Sequence, residues 1–323
     1  MIKIKLTIGD SGFPAQAQLP NMLPYWKNCQ FFVNQDIEEC DFWIVWGTMH
    51  KTQSTICPPE NVFFISSEPP SVYEYEKKFL EQFNSIITCD KNTQHPNPIY
   101  WQQSLPWWLG HDLLLGDKVH SKTTYDELSK NNYIKKDRNI SMIVSNKQTT
   151  EGHRKRYEFA QKIKQYFGDK IDIFGVGMNE SRYKWDAISE YKYHIVIENS
   201  SFDDYWTEKL SDSILGEAYT FYYGCKNLDK YFDKDIYTEI DIEDLDSSIR
   251  KIEENVKKKS YEKNIDKIID AKHLILNEYQ LFPSIYALCS RLSINQKIKV
   301  TIRPESLVYK FIRKLKKRYG SKK

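Results

Sequence analysis

The chain has 323 residues, of which 40% are hydrophobic and 14% aromatic, and this composition excludes a disordered protein because it supplies ample apolar surface for packed cores. Its 47 basic and 44 acidic residues leave a formal net charge of +3, so the overall charge does not indicate a polyanionic partner. The length exceeds what one hydrophobic core usually takes, and we expect two domains.

The six cysteines are scattered and form no CxxC pair, which excludes the usual zinc-ligand spacing and a disulfide-stapled secreted domain. The first twelve residues (MIKIKLTIGDSG) are typical of a β-strand, not of a signal peptide, because no long apolar core follows the basic start. No apolar run reaches the about 18 residues that a membrane-spanning helix needs. We therefore predict a soluble protein of the reducing cytoplasm.

Short apolar runs alternate with helical patterns along the chain. Several runs, such as FWIVW and IVI, are apolar at consecutive positions, which a strand buried on both faces of a parallel sheet requires. The alternation favours α/β units with right-handed crossovers. The predicted strands are Ile2–Ile8, Phe42–Trp46, Val62–Ile65, Ser85–Thr88, Ile140–Val144, Ile171–Phe174, His194–Ile197 and Thr220–Tyr223. The predicted helices are Val72–Phe83, Glu151–Phe167, Thr207–Leu215 and a long charged region from Asp244 to Asn277.

The polar segment Leu115–Asp137 has almost no core-forming pattern and separates two α/β halves. We predict an α/β protein of two facing, Rossmann-like, doubly wound domains with a cleft between them. The domains cover residues 1–130 and 138–300, and a basic tail covers 303–323. Ligands of open α/β sheets bind outside the carboxyl ends of the strands, so functional residues are expected directly after strands.

The first such segment is FFISSEPPS, in which a buried strand leads into Glu68 and two prolines fix the following turn. Glu68 is either a catalytic carboxylate at a strand end or a capping residue for the next helix, and the local sequence does not separate the two roles.

The second segment, Ile143–Phe159, joins a strand to a helix that carries Arg154 and Arg156 near its start. A helix N-terminus with guanidinium groups nearby suits an anion. A solvated basic helix face is the alternative, and a single basic turn gives little support to nucleic-acid binding.

The third segment is Glu198–Gly224 (ENSSFDDYWTEKLSDSILGEAYTFYYG). A strand ends at Ile197, Asp203 or Asp204 is a candidate N-cap, and the helix that follows begins with hydroxyl and charged groups. The helix dipole and an ammonium group within a few residues would suit a diphosphate. An adjacent acid–base pair is also common on solvated helix surfaces.

This third segment resembles the donor-binding signature of glycosyltransferase family 10, the α1,3/4-fucosyltransferases. The shared pattern is a buried strand ending in Glu-Asn-Ser, a short loop, Asp-Tyr-x-Thr-Glu-Lys, a helix, and a strand ending in Gly. The Ser145-Asn146 and Arg156-Tyr157-x-Phe159 elements, and the surroundings of Glu68, resemble two further elements of that family in the same order. The resemblance covers roughly residues 40–225.

The resemblance implies an inverting GT-B transferase that uses GDP-fucose, with the acceptor on the side of the N-terminal domain. Glu68 would be the general base, and Glu208 would face the donor sugar. The donor nucleotide site would comprise Arg156 and Lys209 at the diphosphate, with Asn199, Tyr205, Thr207, Ser145 and Asn146 around the nucleotide. No metal cofactor is required, although a divalent metal is conceivable.

The chain departs from the family pattern at Tyr219-Thr220, where the family has Val-Pro, and in the partial match of DIFGVG. The alternatives are therefore the same scaffold with another nucleotide sugar, or a non-catalytic protein that binds glycan or nucleic acid. Two Asp-x-Asp pairs, Asp233/Asp235 and Asp244/Asp246, lie in a Lys/Asp-rich stretch, and a solvated surface is expected there rather than a metal site.

The C-terminus from Val308 to Lys323 holds eight basic residues and no acidic one. Val308, Phe311, Ile312 and Leu315 recur at helical spacing, which indicates a cationic amphipathic helix that lies on an anionic membrane surface. The alternative is a basic tail that improves solubility. We predict a fucosyltransferase of surface polysaccharide or lipopolysaccharide synthesis, peripheral on the inner face of the cell membrane, with a glycan acceptor and no nucleic-acid partner.

Overall fold

The computed structural model describes residues 1–9, 15–103, 105–110, 122–130, 133–145, 151–175, 179, 181 and 183–319, with only the backbone at 316–319. Asn146 and part of the predicted linker at 115–137 lie outside these residues. The strands are β1 (Ile2–Ile8), β2 (Tyr25–Trp26), β3 (Cys29–Val33), β4 (Phe42–Trp46), β5 (Gln53–Cys57), β6 (Val62–Ile65), β7 (Ser85–Thr88), β8 (Pro98–Tyr100), β9 (Arg138–Ile143), β10 (Ile171–Phe174), β11 (Tyr191–Ile197), β12 (Tyr219–Tyr223), β13 (Tyr237–Glu239) and β14 (Ile298–Ile302). The helices are α1 (Lys77–Leu80), α2 (Tyr125–Leu128), α3 (Glu151–Phe167), α4 (Lys184–Ile188), α5 (Glu208–Leu215), α6 (Leu245–Lys258), α7 (Ser260–Leu274), α8 (Leu281–Cys289) and α9 (Leu307–Tyr319).

The chain forms two compact units, one of residues 1–104 and 281–323 and the other of residues 105–280. These limits differ from the predicted ranges, because the chain returns to the first unit after residue 280. There, β14 pairs antiparallel with β5, with Ile298 opposite Cys57. The Phe282 ring also packs edge-on against Phe31, with 4.9 Å between centroids. Neither contact has a local signal in the sequence, since each joins residues more than 200 positions apart.

The first unit is built on a seven-stranded sheet in the order β2-β3-β1-β4-β6-β7-β8. All neighbours are parallel except β2 and β3, which pair antiparallel at one edge. The consecutive apolar residues of β4 and β6 are buried, as the sequence pattern predicts for parallel strands. One hydrophobic cluster includes Trp43, Val45, Phe64 and Phe79.

The second unit contains a five-stranded, fully parallel sheet in the order β10-β9-β11-β12-β13. When the strands of this unit are numbered from one to five in chain order, the sheet order is 2-1-3-4-5, which is common among doubly wound sheets. The connections diverge between β9 and β11, and the crevice at the carboxyl ends of these strands is where such sheets bind ligands. The predicted mixed α/β class with parallel sheets is confirmed.

Two predicted helices differ from those observed. The predicted helix over 72–83 is reduced to α1. Before α1, the Val72 N–H donates to the Pro69 carbonyl in a turn, and the Glu76 N–H donates to the Glu305 carboxylate. These two bonds hold the segment in a non-helical conformation. The predicted helical region over 244–277 breaks into α6 and α7 at Lys259, which has a left-handed φ of 55°. In the part of the chain that the structure describes, no helix is long and apolar enough to cross a membrane.

Candidate functional site

A cavity of ≈ 140 Å³ lies in the second unit among residues that follow β9 and β11. Its wall contains the apolar end of β11 and polar side chains from the surrounding loops and helices. The position agrees with the crevice that the strand order predicts. The polar lining residues are Ser145, Arg156, Lys184, His194, Glu208, Lys209 and Asp212.

The loop after β11 is fixed by the buried carboxylate of Glu198, which is 1% exposed. Thr207 donates to it twice, from its backbone N–H at 2.9 Å and from its hydroxyl at 2.7 Å. The Thr207 hydroxyl also accepts from the Lys209 N–H and is the N-cap of α5. Gly224 is required beside this carboxylate, because a Cβ there would lie 2.5 Å from the Glu198 Cγ.

The predicted N-cap at Asp203 or Asp204 is wrong, since α5 begins three residues later and uses Thr207. Asp204 has a left-handed φ of 60° and is buried. Its Oδ1 accepts hydrogen bonds from Asn227, Lys230 and Tyr231 at 3.0, 2.9 and 2.6 Å. Asp204 therefore ties the loop to the segment after β12.

Lys209 lies between two carboxylates at the start of α5. Its ammonium donates to Glu208 at 3.1 Å and to the Thr207 hydroxyl at 3.0 Å, and it lies 3.3 Å from Glu198. Burial would raise the pKa of Glu208, but the charges of Lys209 and Lys184 outweigh it and bring this pKa to about 2. Burial lowers the pKa of Lys209, and Glu208 and Glu198 more than reverse that effect, so both groups are charged at neutral pH.

Arg156 reaches the same region from the second turn of α3. Its residue is 6% exposed, and its Nη1 donates to the Asn199 side-chain oxygen at 2.9 Å. Its buried Nε finds no hydrogen-bond partner among the described residues. Gly152 permits this approach, because a Cβ there would lie 2.5 Å from the Asn199 carbonyl oxygen. The buried Arg156 guanidinium therefore has one N–H, at Nε, that none of the described residues accepts.

Three residues that the sequence analysis did not select complete the cavity. Lys184 pairs with Asp212 at 2.8 Å, and their side chains are 17% and 1% exposed. Asp212 also accepts from the Trp108 N–H at 2.8 Å. The His194 ring bonds to the Ser141 hydroxyl at 2.7 Å, and burial lowers its pKa to about 3, helped by the charges of Lys136 and Lys184. His194 is therefore neutral at physiological pH.

These residues were missed for different reasons. Asp212 lies within Glu198–Gly224, but it is on α5, whose eight residues are too few for the pattern to single out a polar side chain that faces the cavity. His194 lies in β11, inside an apolar run that the sequence marks only as a buried strand. Lys184 lies on α4, a five-residue helix that the sequence pattern did not predict.

The structure brings most of the predicted donor-site residues together. Arg156, Lys209, Glu208 and Ser145 line the cavity, while Asn199 and Thr207 lie one hydrogen bond behind it. Tyr205 is placed differently, because it is 1% exposed, stacks on Phe202 at 4.9 Å and does not line the cavity. Tyr219 and Thr220 lie in β12, at the end of the strand opposite the cavity.

Glu68 belongs to the first unit and follows β6, on an exposed position. It lines a second cavity of ≈ 460 Å³ together with Tyr73, Tyr75, Asp90 and Thr93. The next helix, α1, begins at Lys77 with Glu76 at its N-cap, so Glu68 does not cap it. Of the two roles that the sequence left open, capping of this helix is excluded.

The Asp-x-Asp pairs have structural partners. Asp233 and Asp235 both form ion pairs with Lys267, and Asp244 is the N-cap of α6 with its carboxylate bonded to the Ser247 N–H. Among the described residues, no group of three or more His, Cys, Asp or Glu side chains is arranged to hold a metal ion.

Comparison with known proteins gives one family match. The family model described as glycosyltransferase family 10 (fucosyltransferase), C-terminal, matches residues 133–297, just over half of the chain. The match contains the whole cavity of the second unit and does not include Glu68. No curated protein matches the chain.

Solved structures of α1,3-fucosyltransferases are distantly similar. The one with GDP is 15% identical with a TM-score of 0.47 and covers 86% of this chain and 92% of its own. The one with GDP-fucose is 15% identical with a TM-score of 0.44 and covers 87% and 92%.

Proposed function

The chain belongs to glycosyltransferase family 10, and from this premise we propose that it transfers fucose from GDP-fucose to a glycan hydroxyl with inversion of the anomeric centre. The observation that carries the proposal is the convergence of Arg156, Lys209 and Glu208 on one cavity at the switch point of the second sheet. Family membership identifies the enzyme as a glycosyltransferase, and the donor sugar and stereochemistry are our inference.

The cations of this cavity suit the leaving group. When the bond between the anomeric carbon and the β-phosphate oxygen breaks, GDP leaves with the electron pair and gains negative charge. Arg156 and Lys209 are held in place before the reaction, so they stabilise this charge without reorganisation. The unpartnered Nε of Arg156 supports this role, because a phosphate oxygen would satisfy it. We propose that no metal ion is needed.

Glu208 is suited to the sugar. A pKa of about 2 keeps its carboxylate negative, and the anomeric centre becomes oxocarbenium-like as the leaving group departs. A fixed negative charge beside that centre favours the transition state over the ground state.

Glu68 is our candidate general base. It would take the proton of the acceptor hydroxyl while that oxygen forms its bond to the anomeric carbon, and general base catalysis contributes about 10²–10⁴-fold. Its exposed position in the wall of a cavity of ≈ 460 Å³ is compatible with access for a glycan. We propose that the acceptor binds there.

We propose further that α9 attaches the enzyme to the inner face of the cell membrane, where it acts on surface polysaccharide or lipopolysaccharide. Leu307, Val308 and Phe311 are 83%, 69% and 61% exposed, and Ile312 and Leu315 are also exposed. Arg313 pairs with Glu305, and the seven other basic residues from Val308 onward would complement an anionic surface.

The donor assignment is tested by calorimetry with GDP, UDP and CMP. We expect GDP to bind most tightly, and Arg156→Ala and Lys209→Ala each to weaken it about 10- to 100-fold, since hydrogen bonds to charged groups are worth about 1.5–3 kcal/mol. Lys155→Ala is the matched control, because Lys155 is on the same helix but pairs with Glu151 and Glu243. Preferential binding of UDP or CMP would refute the assignment to GDP.

A further inference from the structure

The C-terminal part of the first unit contacts the segment that follows Glu68. This segment, residues 73–76 (Tyr-Glu-Tyr-Glu), contributes Tyr73, Glu74 and Tyr75 to the wall of the cavity that contains Glu68. The residues that hold it, 305–313, lie more than 200 positions later and include the first half of α9. We call residues 73–76 the tyrosine segment.

Glu305 is the centre of these contacts. Its carboxylate is 4% exposed and accepts the Glu76 N–H at 2.8 Å and the Tyr73 hydroxyl at 2.6 Å. Arg313 donates from one nitrogen to both carboxylate oxygens, at 3.0 and 2.9 Å. The carboxylate is thus well compensated, and its orientation is fixed by four hydrogen bonds.

Arg313 also binds the tyrosine segment directly. Its guanidinium carbon lies 3.6 Å from the centroid of the Tyr73 ring, and its Nη2 contacts the Tyr73 hydroxyl at 2.5 Å. Its Nη1 donates to the Glu74 carbonyl at 3.0 Å. A planar guanidinium can stack on the Tyr73 ring and donate hydrogen bonds at the same time, whereas a lysine ammonium could make only some of these contacts.

The tyrosine segment in turn contacts the backbone beside Glu68. The Ser67 N–H donates to the Tyr75 hydroxyl at 3.1 Å, and the Tyr73 and Tyr75 rings lie 4.8 Å apart. Ser67 immediately precedes Glu68. A continuous set of contacts therefore runs from Arg313 and Glu305 through two tyrosines to the backbone that carries the candidate base.

We propose that Arg313 and Glu305 are positioning residues that fix the backbone carrying Glu68 for catalysis. The inference rests on the proposed role of Glu68. Relative to apolar residues of similar size a buried ion pair contributes little net stability, and in this proposal the Glu305–Arg313 pair instead selects one arrangement of the groups around it. A displacement of about 1 Å at a reacting group can cost about 100-fold in rate.

The experiment measures GDP release from GDP-fucose with water as acceptor. We expect Arg313→Ala to lower kcat about 10- to 100-fold with little change in GDP affinity, because GDP would bind in the second unit. Arg313→Lys should recover part of the loss, and Tyr75→Phe, which removes only the hydroxyl that holds Ser67, should also lower kcat. Lys78→Ala, at an exposed residue of α1, the helix directly after the tyrosine segment, is the control and should behave as wild type.

A double variant separates positioning from a general loss of structure. In a Glu68→Gln background, Arg313→Ala should cause no further loss of the residual rate, because residues that act as a unit are not additive. A wild-type kcat for Arg313→Ala, or a full additional loss in the Glu68→Gln background, would overturn the inference. Wild-type turnover by Glu68→Gln alone would instead refute the base assignment, and the positioning role with it. If Arg313→Ala does not fold, the same comparison is made with Tyr75→Phe.

Discussion

The Lys209 ammonium contacts oxygen atoms of the Thr207, Glu208 and Glu198 side chains. The two carboxylates stabilise its positive charge. Glu198 is buried and fixes the loop, whereas Glu208 lines the cavity. Two acidic residues ten positions apart thus have separate tasks that follow from their burial. A sequence that reads Thr-Glu-Lys is therefore more than a surface acid–base pair in this context.

His194 gives a pH dependence of stability that belongs to one residue. Its pKa is about 3 in the folded protein and about 6.5 in an unfolded chain, so the unfolded state binds the proton first as pH falls. Its contribution is complete above pH 6.5 and is lost as pH falls from there toward 3, with a slope of up to about 1.4 kcal/mol per pH unit. Urea unfolding at pH 7, 6 and 5 checks this.

His194→Gln is the matched variant, since its amide still hydrogen-bonds to Ser141 but does not titrate. The difference in unfolding free energy between wild type and His194→Gln should change between pH 7 and 5 in favour of the variant. A difference that is independent of pH would show that His194 is not held neutral.

At the scale of elements, the loop between β11 and α5 depends on Thr207. Thr207→Val should destabilise the protein by about 1–3 kcal/mol, because it removes the N-cap of α5 and the closest donor to the buried Glu198 Oε2. Thr207→Ser retains the hydroxyl and should stay within about 1 kcal/mol of wild type. Urea denaturation compares the two, and equal stabilities for both variants would contradict the role of the hydroxyl.

The sequence predicted the central strands best. The limits of β1, β4, β6 and β7, which lie inside the seven-stranded sheet, agree with the prediction, as do those of the edge strand β10. In β4, β6 and β7 the buried residues are consecutive, whereas in β10 buried and half-buried residues alternate. The long amphipathic α3 was predicted with its observed limits because its apolar residues recur at helical spacing. Short edge strands such as β2, β8 and β13 were missed, because three residues or fewer give no usable pattern.

The cavity of the second unit was predicted only in part. Arg156, Glu208 and Lys209 follow predicted strands, and parallel strands bring such residues together at one edge of a sheet. Lys184 and Asp212 depend on the packing of short helices, and Glu305 and Arg313 depend on a chain return that has no local signal. Such contacts join residues that lie far apart in the chain, so no local sequence pattern predicts them.

Helix α9 carries exposed apolar side chains together with basic groups. Sedimentation with anionic vesicles should capture the full chain, and Phe311→Ser with Ile312→Ser should reduce the bound fraction at least several-fold, because burial of an apolar side chain is worth about 1.5–3 kcal/mol. Leu292→Ser removes a residue that is 41% exposed elsewhere in the first unit and should have no effect. Equal capture of wild type and the double variant would contradict membrane attachment through α9.

The choice of GDP-fucose as donor and the role of Glu68 as general base are tested together by turnover of nucleotide sugars in the absence of a known acceptor. Purified protein is incubated with GDP-fucose, other GDP-sugars, UDP-sugars and CMP-sugars, and release of the nucleotide is measured for wild type and Glu68→Gln. We expect GDP to be released from GDP-fucose faster than the nucleotide from any other donor, and Glu68→Gln to lose about 100-fold or more in rate with nearly unchanged GDP affinity. Faster release from a UDP- or CMP-sugar, or wild-type turnover by Glu68→Gln, would contradict this expectation.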